Sequence, residues 1–469
     1  MIFSSIPFLF YFLPAILIVY FVTPKSLKNF VLLLFSLVFY AWGEPKYILL
    51  MIVSILFGYG FGRWIAWAKE RKKHRCAQIV LGLSVIFHIG LLGYFKYADF
   101  LIENINSLTG ADLPLQEVAL PIGISFYTFQ ILSYTIDVYR GQVALQRNLI
   151  AIAAYVSLFP QLIAGPIVRY STIAEELQTR THSFANTAYG IRRFMIGLSK
   201  KILIANLLGE YCEIFVTCEE RSVLFYWLYA IATGLHIYFD FSGYSDMAIG
   251  LGRIFGFHFN ENFNYPFISN SITDFWRRWH MSLGSWFRDY VYIPLGGNRR
   301  GTLCWLRNIL IVWFLTGLWH GAAWNFILWG LFFGFFLVIE KLFLTEFLEK
   351  HSVFARIYTM VLLLISFAIF NSTDLPTIGE NLMGMIAVWK LPLVSTVTLY
   401  YLKSYAVVLL VAMVGATPLV KNICIKIQEH PKGKIALAAL EPFVYLVLFV
   451  VMTGFLVDGS FNPFLYFRF

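Results

Sequence analysis

Uncharged runs dominate this chain. They occupy 1–24, 29–43, 47–62, 76–95, 118–136, 148–168, 222–239, 308–339, 357–373, 404–420 and 442–457, with shorter or weaker stretches at 184–209, 241–257 and 378–402. A charge at bilayer depth is costly, and about 20 apolar residues span the hydrocarbon core, so each run is a candidate pass. The pattern predicts an all-α polytopic membrane protein with roughly 11 to 14 transmembrane or re-entrant helices. Period-two alternation is missing, which argues against an outer-membrane barrel. No polar stretch is long enough for a soluble domain and no internal repeat is visible, so the chain reads as a single membrane domain, 1–469, with a core at about 118–345.

Two segments depart from the simple pattern. In NSITDFWRRWHMSLGSWFRDYVYIPLGGNRRG (270–301), a helical wheel gathers Trp276, Trp279, Leu283, Trp286, Phe287 and Tyr290 on one stripe. Asp274, Arg277, Arg278, Ser285, Arg288 and Asp289 fall opposite, with Met281 the one misfit. Ser271 or Thr273 caps the start, and Pro294 with Gly296 and Gly297 ends it. Arginine on one face and tryptophan on the other predict an interfacial amphipathic helix over 273–290, with His280 at the edge of the apolar stripe.

The second segment is the charge-free run 308–339, which as one helix would measure about 48 Å against a core of about 30 Å. It must bend, and LTGLWHGAAWN (315–325) supplies Gly317 and Gly321 for the purpose. His320 then lies roughly 20 Å along the first half, inside the hydrocarbon zone, with Trp319 and Trp324 as walls. An ionisable residue at that depth is a functional candidate by default, and a neutral imidazole is a competent general base near neutral pH. The alternative is a packing histidine bonded to a carbonyl, the reading preferred for His88 and His236.

Composition sharpens the class. Hydrophobic residues make up 59% and charged residues 13%, about half the charge a water-facing surface carries. The net charge of +10 fits a basic cytoplasmic face rather than nucleic-acid binding. The densest basic run, Lys69 to Arg75, should be cytoplasmic; counting back three spans puts the N-terminus outside, and counting forward puts the acidic 96–117 loop outside too. The first apolar run has no basic stretch before it and does not read as a cleavable signal. Five scattered cysteines without CxxC spacing give neither a metal site nor a disulfide framework. Among polar residues at depth, Gln130, Gln161, Asp240 and Asp246 are left to line an inner wall or brace helix ends.

With these residues in view, the chain resembles the membrane-bound O-acyltransferases, and more closely the bacterial branch that O-acetylates exported polysaccharides such as alginate and peptidoglycan. The pieces that carry the likeness are PIGISFYTFQ (121–130), FPQLIAGPI (159–167), YFDFSGYSDMAIG (238–250), the 270–297 segment and LTGLWHGAAWNFILWG (315–330), and the likeness runs on to the final FNPFLYFRF. The resemblance implies His320 as the catalytic histidine of the Trp-His-Gly element and His280 as its upstream partner. It implies a thioester co-substrate, acetyl-CoA or an acyl carrier protein, and no bound cofactor. It further implies a tunnel through the bundle, an exported polysaccharide acceptor, an extracytoplasmic SGNH-type partner and the bacterial inner membrane. On this view Arg277, Arg278, Arg288 and Trp279 contact the donor, while Gln130, Asp240, Trp319 and Asn325 line the polar wall. Three readings compete with it: D-alanyl or longer-acyl transfer to teichoic acid or lipid, a transporter or flippase with His320 relaying protons, and a membrane scaffold.

Overall fold

A computed structural model describes residues 2–459. The closing FNPFLYFRF therefore lies outside the described residues, as does Met1. Among the described residues every regular element is helical, and eight helices are long and apolar enough to cross a membrane. Other expected passes are shorter or interrupted. The 118–136 run becomes a 17-residue helix, Ile124–Arg140, and 148–168 divides into Leu149–Ser157 and the single turn Phe159–Leu162. The 222–257 region is one 32-residue helix, Val223–Ile254.

The described residues divide into two compact units, 2–194 with 247–260, and 195–246 with 261–459. In the first, the Ile48–Glu70 helix packs against His74–Thr109 and Ile124–Arg140. A phenylalanine cluster fills its interior, Phe12 meeting Phe159 edge-on at 5.3 Å and Phe3 lying 4.8 Å from Phe8. His88 is buried there with Nδ1 at 2.8 Å from the Ser84 carbonyl, the packing role expected of it.

The second unit holds both special histidines. Its centre is the hairpin of helices Thr302–His320 and Trp324–Ile339, which replaces the over-long 308–339 run. The break falls at residues 321–323, immediately after His320. Gly317 does not bend the chain; it stays helical and lets the two arms touch backbone to backbone. A Cβ on Gly317 would collide with the Phe326 carbonyl oxygen, and one on Gly330 with that of Trp313.

Candidate active site

His320 is the last residue of its helix and is buried. Three rings enclose its imidazole: Trp319 at 5.1 Å, Trp329 at 4.9 Å and Phe370 at 5.4 Å between centroids. Asn325 reaches the same place indirectly, donating from Nδ2 to the Phe370 carbonyl at 2.9 Å. Trp324, expected as a wall, is 47% exposed on the outer surface of the hairpin. It opens the second helix, and Trp329, one turn further on, packs against the His320 ring.

The expected 273–290 helix is broken in two, Ile272–Arg278 and Met281–Phe287. Competing hydrogen bonds explain the break. The Asn264 N–H donates to the Arg278 carbonyl at 2.9 Å and the Met281 N–H donates to the Asn262 carbonyl at 3.0 Å, so the 262–264 segment takes groups a continuous helix would use internally. His280 sits in the gap with φ 44°, a left-handed conformation uncommon outside glycine and often found at functional positions.

The first half-helix is pinned from a distance. The Glu340 carboxylate accepts from the N–H groups of Ile272 at 2.6 Å and Thr273 at 3.0 Å, and from the Thr273 hydroxyl at 2.8 Å. This satisfies free amides at a helix start with an anion where the dipole favours one. Trp276 then wedges against Trp313 at 4.6 Å and Phe333 at 5.0 Å.

These contacts bring the two histidines onto one indole: His280 lies 5.7 Å from Trp319, the ring that His320 also packs on. Asn262 defines the protonation of His280. Its Oδ1 accepts from the Ser282 N–H at 3.2 Å and the Ser282 hydroxyl at 2.9 Å, so that atom is the oxygen. His280 Nδ1, 3.2 Å from the same oxygen, must therefore donate. Its Nε2 is left as a buried lone pair with no hydrogen-bond partner among the described residues. His280 lies between the spans, and burial, with His320 nearby as a smaller cause, holds it well below its ordinary value and hence neutral.

The remaining candidates divide. Asp240 is an ion-pair partner of Lys201 at 2.6 Å and Asp246 of Lys200 at 2.7 Å, which makes both braces to the π-helical stretch Lys200–Ala205. Trp279 is buried among Phe263, Phe275 and Phe367, a core position. Arg278 is paired with Asp274 and Arg288 with Asp289, whereas Arg277 is exposed. Gln130 is buried in the first unit, and both ends of its amide lack a hydrogen-bond partner among the described residues. Asn262, Ser282, Trp329, Phe370 and Glu340 were not singled out by sequence; Asn262, Phe370 and Glu340 act across large separations that no local pattern signals.

Among the described residues the structure is that of an all-helical membrane protein with two buried imidazoles on a shared indole. The family model for membrane-bound O-acyltransferases (MBOAT) matches residues 124–372. The chain is 39% identical to the "Probable alginate O-acetylase AlgI" of Pseudomonas putida over the whole of both proteins. It is 33% identical to the peptidoglycan O-acetyltransferase of Helicobacter pylori, covering 82% of this chain and 80% of that one. It is also 33% identical to the teichoic acid D-alanyltransferase of Bacillus subtilis, over only 45% of this chain and 56% of that protein. The chain belongs to the membrane-bound O-acyltransferase family and is an O-acyltransferase.

Proposed function

We propose that the protein moves an acetyl group from a cytoplasmic thioester, acetyl-CoA or an acyl carrier protein, to a hydroxyl of an exported polysaccharide or of an SGNH-type extracytoplasmic partner. The observation that carries this reading is the pair of buried histidines on Trp319, one of them with its Nε2 lone pair kept open by Asn262. His320 takes the proton of the acceptor hydroxyl as that oxygen attacks the thioester carbonyl. The carbon–sulfur bond breaks, and the proton passes on to the leaving thiolate. His280, neutral at physiological pH, packs on the same indole and orients the thioester against it. Arg277 faces water and is the first choice for the donor's phosphates, since Asp274 and Asp289 already occupy Arg278 and Arg288. The bacterial inner membrane, with the N-terminus outside, is the compartment that supplies both substrates.

The test is incubation of membranes with radiolabelled acetyl-CoA, followed by identification of the labelled molecule. His320→Gln keeps hydrogen bonding but is a far weaker base, and should lower transfer about 10²–10⁴-fold. Arg277→Gln should raise the apparent KM for donor. Wild-type transfer by a folded His320→Gln protein would remove His320 from the chemistry, and absence of any labelled product from the wild-type protein would return the transporter and scaffold readings.

A further inference from the structure

In the first unit, three basic groups converge on one buried phenol. Tyr20 is fully buried, and its hydroxyl donates to the Phe255 carbonyl at 2.8 Å. Having spent its one proton there, it accepts from His182 Nε2 at 3.0 Å. The Lys28 ammonium lies 4.3 Å from the Tyr20 ring centroid and 5.4 Å from that of Phe21. The Arg180 guanidinium lies 5.9 Å from the Tyr20 ring and 4.6 Å from the Phe257 ring.

Lys28 is only 9% exposed, and no hydrogen bond or carboxylate meets its ammonium among the described residues. Arg180 donates to the Asn29 side chain at 2.7 Å and to the Glu176 carbonyl at 3.4 Å, both neutral oxygens. The Glu176 carboxylate is held by His258, through the ring and the backbone N–H. The one carboxylate that acts on Arg180 is thus shared with His258, and Lys28 has no counter-ion among the described residues. The Lys28 stem is buried while its ammonium is not, so the unpaired charge is left within reach of an anion. Lys28 and Arg180 also push the His182 imidazole below its ordinary value, behind burial as the larger cause.

We propose that Lys28, Arg180 and His182 form a binding site for a phosphate group. A phosphate offers several acceptor oxygens and the negative charge this cluster lacks, and the half-buried Arg180 and His182 leave it a way in. The site lies at the membrane surface. Lys28–Gly43 and Ile48–Glu70 are successive spans, so Lys28 and the basic run Lys69 to Arg75 are on one side of the bilayer. Two molecules present phosphate at such a surface: an anionic lipid headgroup and a phosphate-bearing thioester donor. The donor alternative rests on the proposed function; the lipid alternative does not.

The purified full-length protein in neutral detergent is titrated with phosphatidylglycerol and, separately, with coenzyme A, and binding is counted by native mass spectrometry. At least one probe should bind, and Lys28→Met, which keeps the stem over Tyr20, should weaken it about tenfold or more. Loss of phosphatidylglycerol binding identifies a lipid site, and loss of coenzyme A binding identifies a donor site. His182→Gln, at the half-exposed mouth, repeats the test should Lys28→Met not fold. If both folded variants bind both probes as wild type does, or if wild type binds neither, the proposal fails. Acetyl transfer is measured on the same preparations, so phosphatidylglycerol binding without transfer overturns the enzyme mechanism and leaves the phosphate site standing.

Discussion

At the scale of single residues, the two histidines were legible because ionisable groups are rare in apolar surroundings, and His320 announces itself by depth alone. The residues that tune them were not. Asn262 is 18 positions from His280 and Phe370 is 50 positions from His320, and no periodicity connects such pairs. Asn262 carries the most specific expectation. Asn262→Leu removes the acceptor that holds Nδ1–H and strands the Ser282 N–H, at a cost of about 1–3 kcal/mol in stability. With the ring free to turn or change tautomer, transfer should fall by up to about 10²-fold in kcat with little change in donor KM, measured in steady-state kinetics. A second expectation concerns pH. His280 is neutral when folded and titrates near its reference value of about 6.5 when unfolded, so the unfolded state binds the extra proton. Stability contributed by this group is therefore complete above about pH 6.5 and declines as pH falls below it. Melting in detergent at pH 7.5 and pH 5.5 should show a smaller acid-induced drop for His280→Gln than for wild type. Equal drops would mean that the folded imidazole accepts the proton freely.

At the scale of elements, the apolar runs predicted helices well because charge is excluded from lipid more strictly than from any soluble core. The two failures have definite causes. Residues 273–290 alternate with one helical phase, yet the helix restarts at Met281, the single position that misfitted the wheel. That misfit was the visible trace of the break, and the cause, pairing with 262–264, lay outside the segment. Gly317 was assigned to a bend on the strength of its flexibility, whereas the structure uses its lack of a side chain to seat Phe326. Between these elements Glu340 is the fastener, joining the end of the hairpin to the start of Ile272–Arg278. Glu340→Ala deletes a charged cap serving two backbone amides and a hydroxyl. It should cost about 2–3 kcal/mol and lower transfer, because the segment carrying His280 loses its anchor. Glu340→Gln, which keeps acceptor capacity on one atom, should recover part of both. Thermal unfolding of the three proteins, run beside the acetyl-transfer assay, checks this ordering.

At the scale of the whole molecule, sequence supplied the membrane class and an expected orientation, and the length of one helix provides a way to test the latter. The His74–Thr109 helix has 36 residues, about 54 Å at 1.5 Å each, against a hydrocarbon core of about 30 Å. One end abuts the basic run Lys69 to Arg75. The other carries Asp99 and Glu103, with the Asp99 carboxylate receiving the Gln116 N–H at 2.6 Å as the following segment folds back onto the helix. A span of that length holds Lys72 and Ser107, both exposed, on opposite faces of the bilayer. Lysine and arginine concentrate on the cytoplasmic face, so Lys72 should be inside and Ser107 outside. The experiment begins from a variant in which the five native cysteines are replaced, and introduces Lys72→Cys or Ser107→Cys. An impermeant thiol reagent applied to intact cells should label Ser107→Cys and spare Lys72→Cys until the membrane is opened. The reverse pattern would invert the protein and place Lys28, Arg180 and His182 on the outer surface, where a cytoplasmic donor does not reach them. Labelling of both from outside would mean that this helix does not cross the membrane.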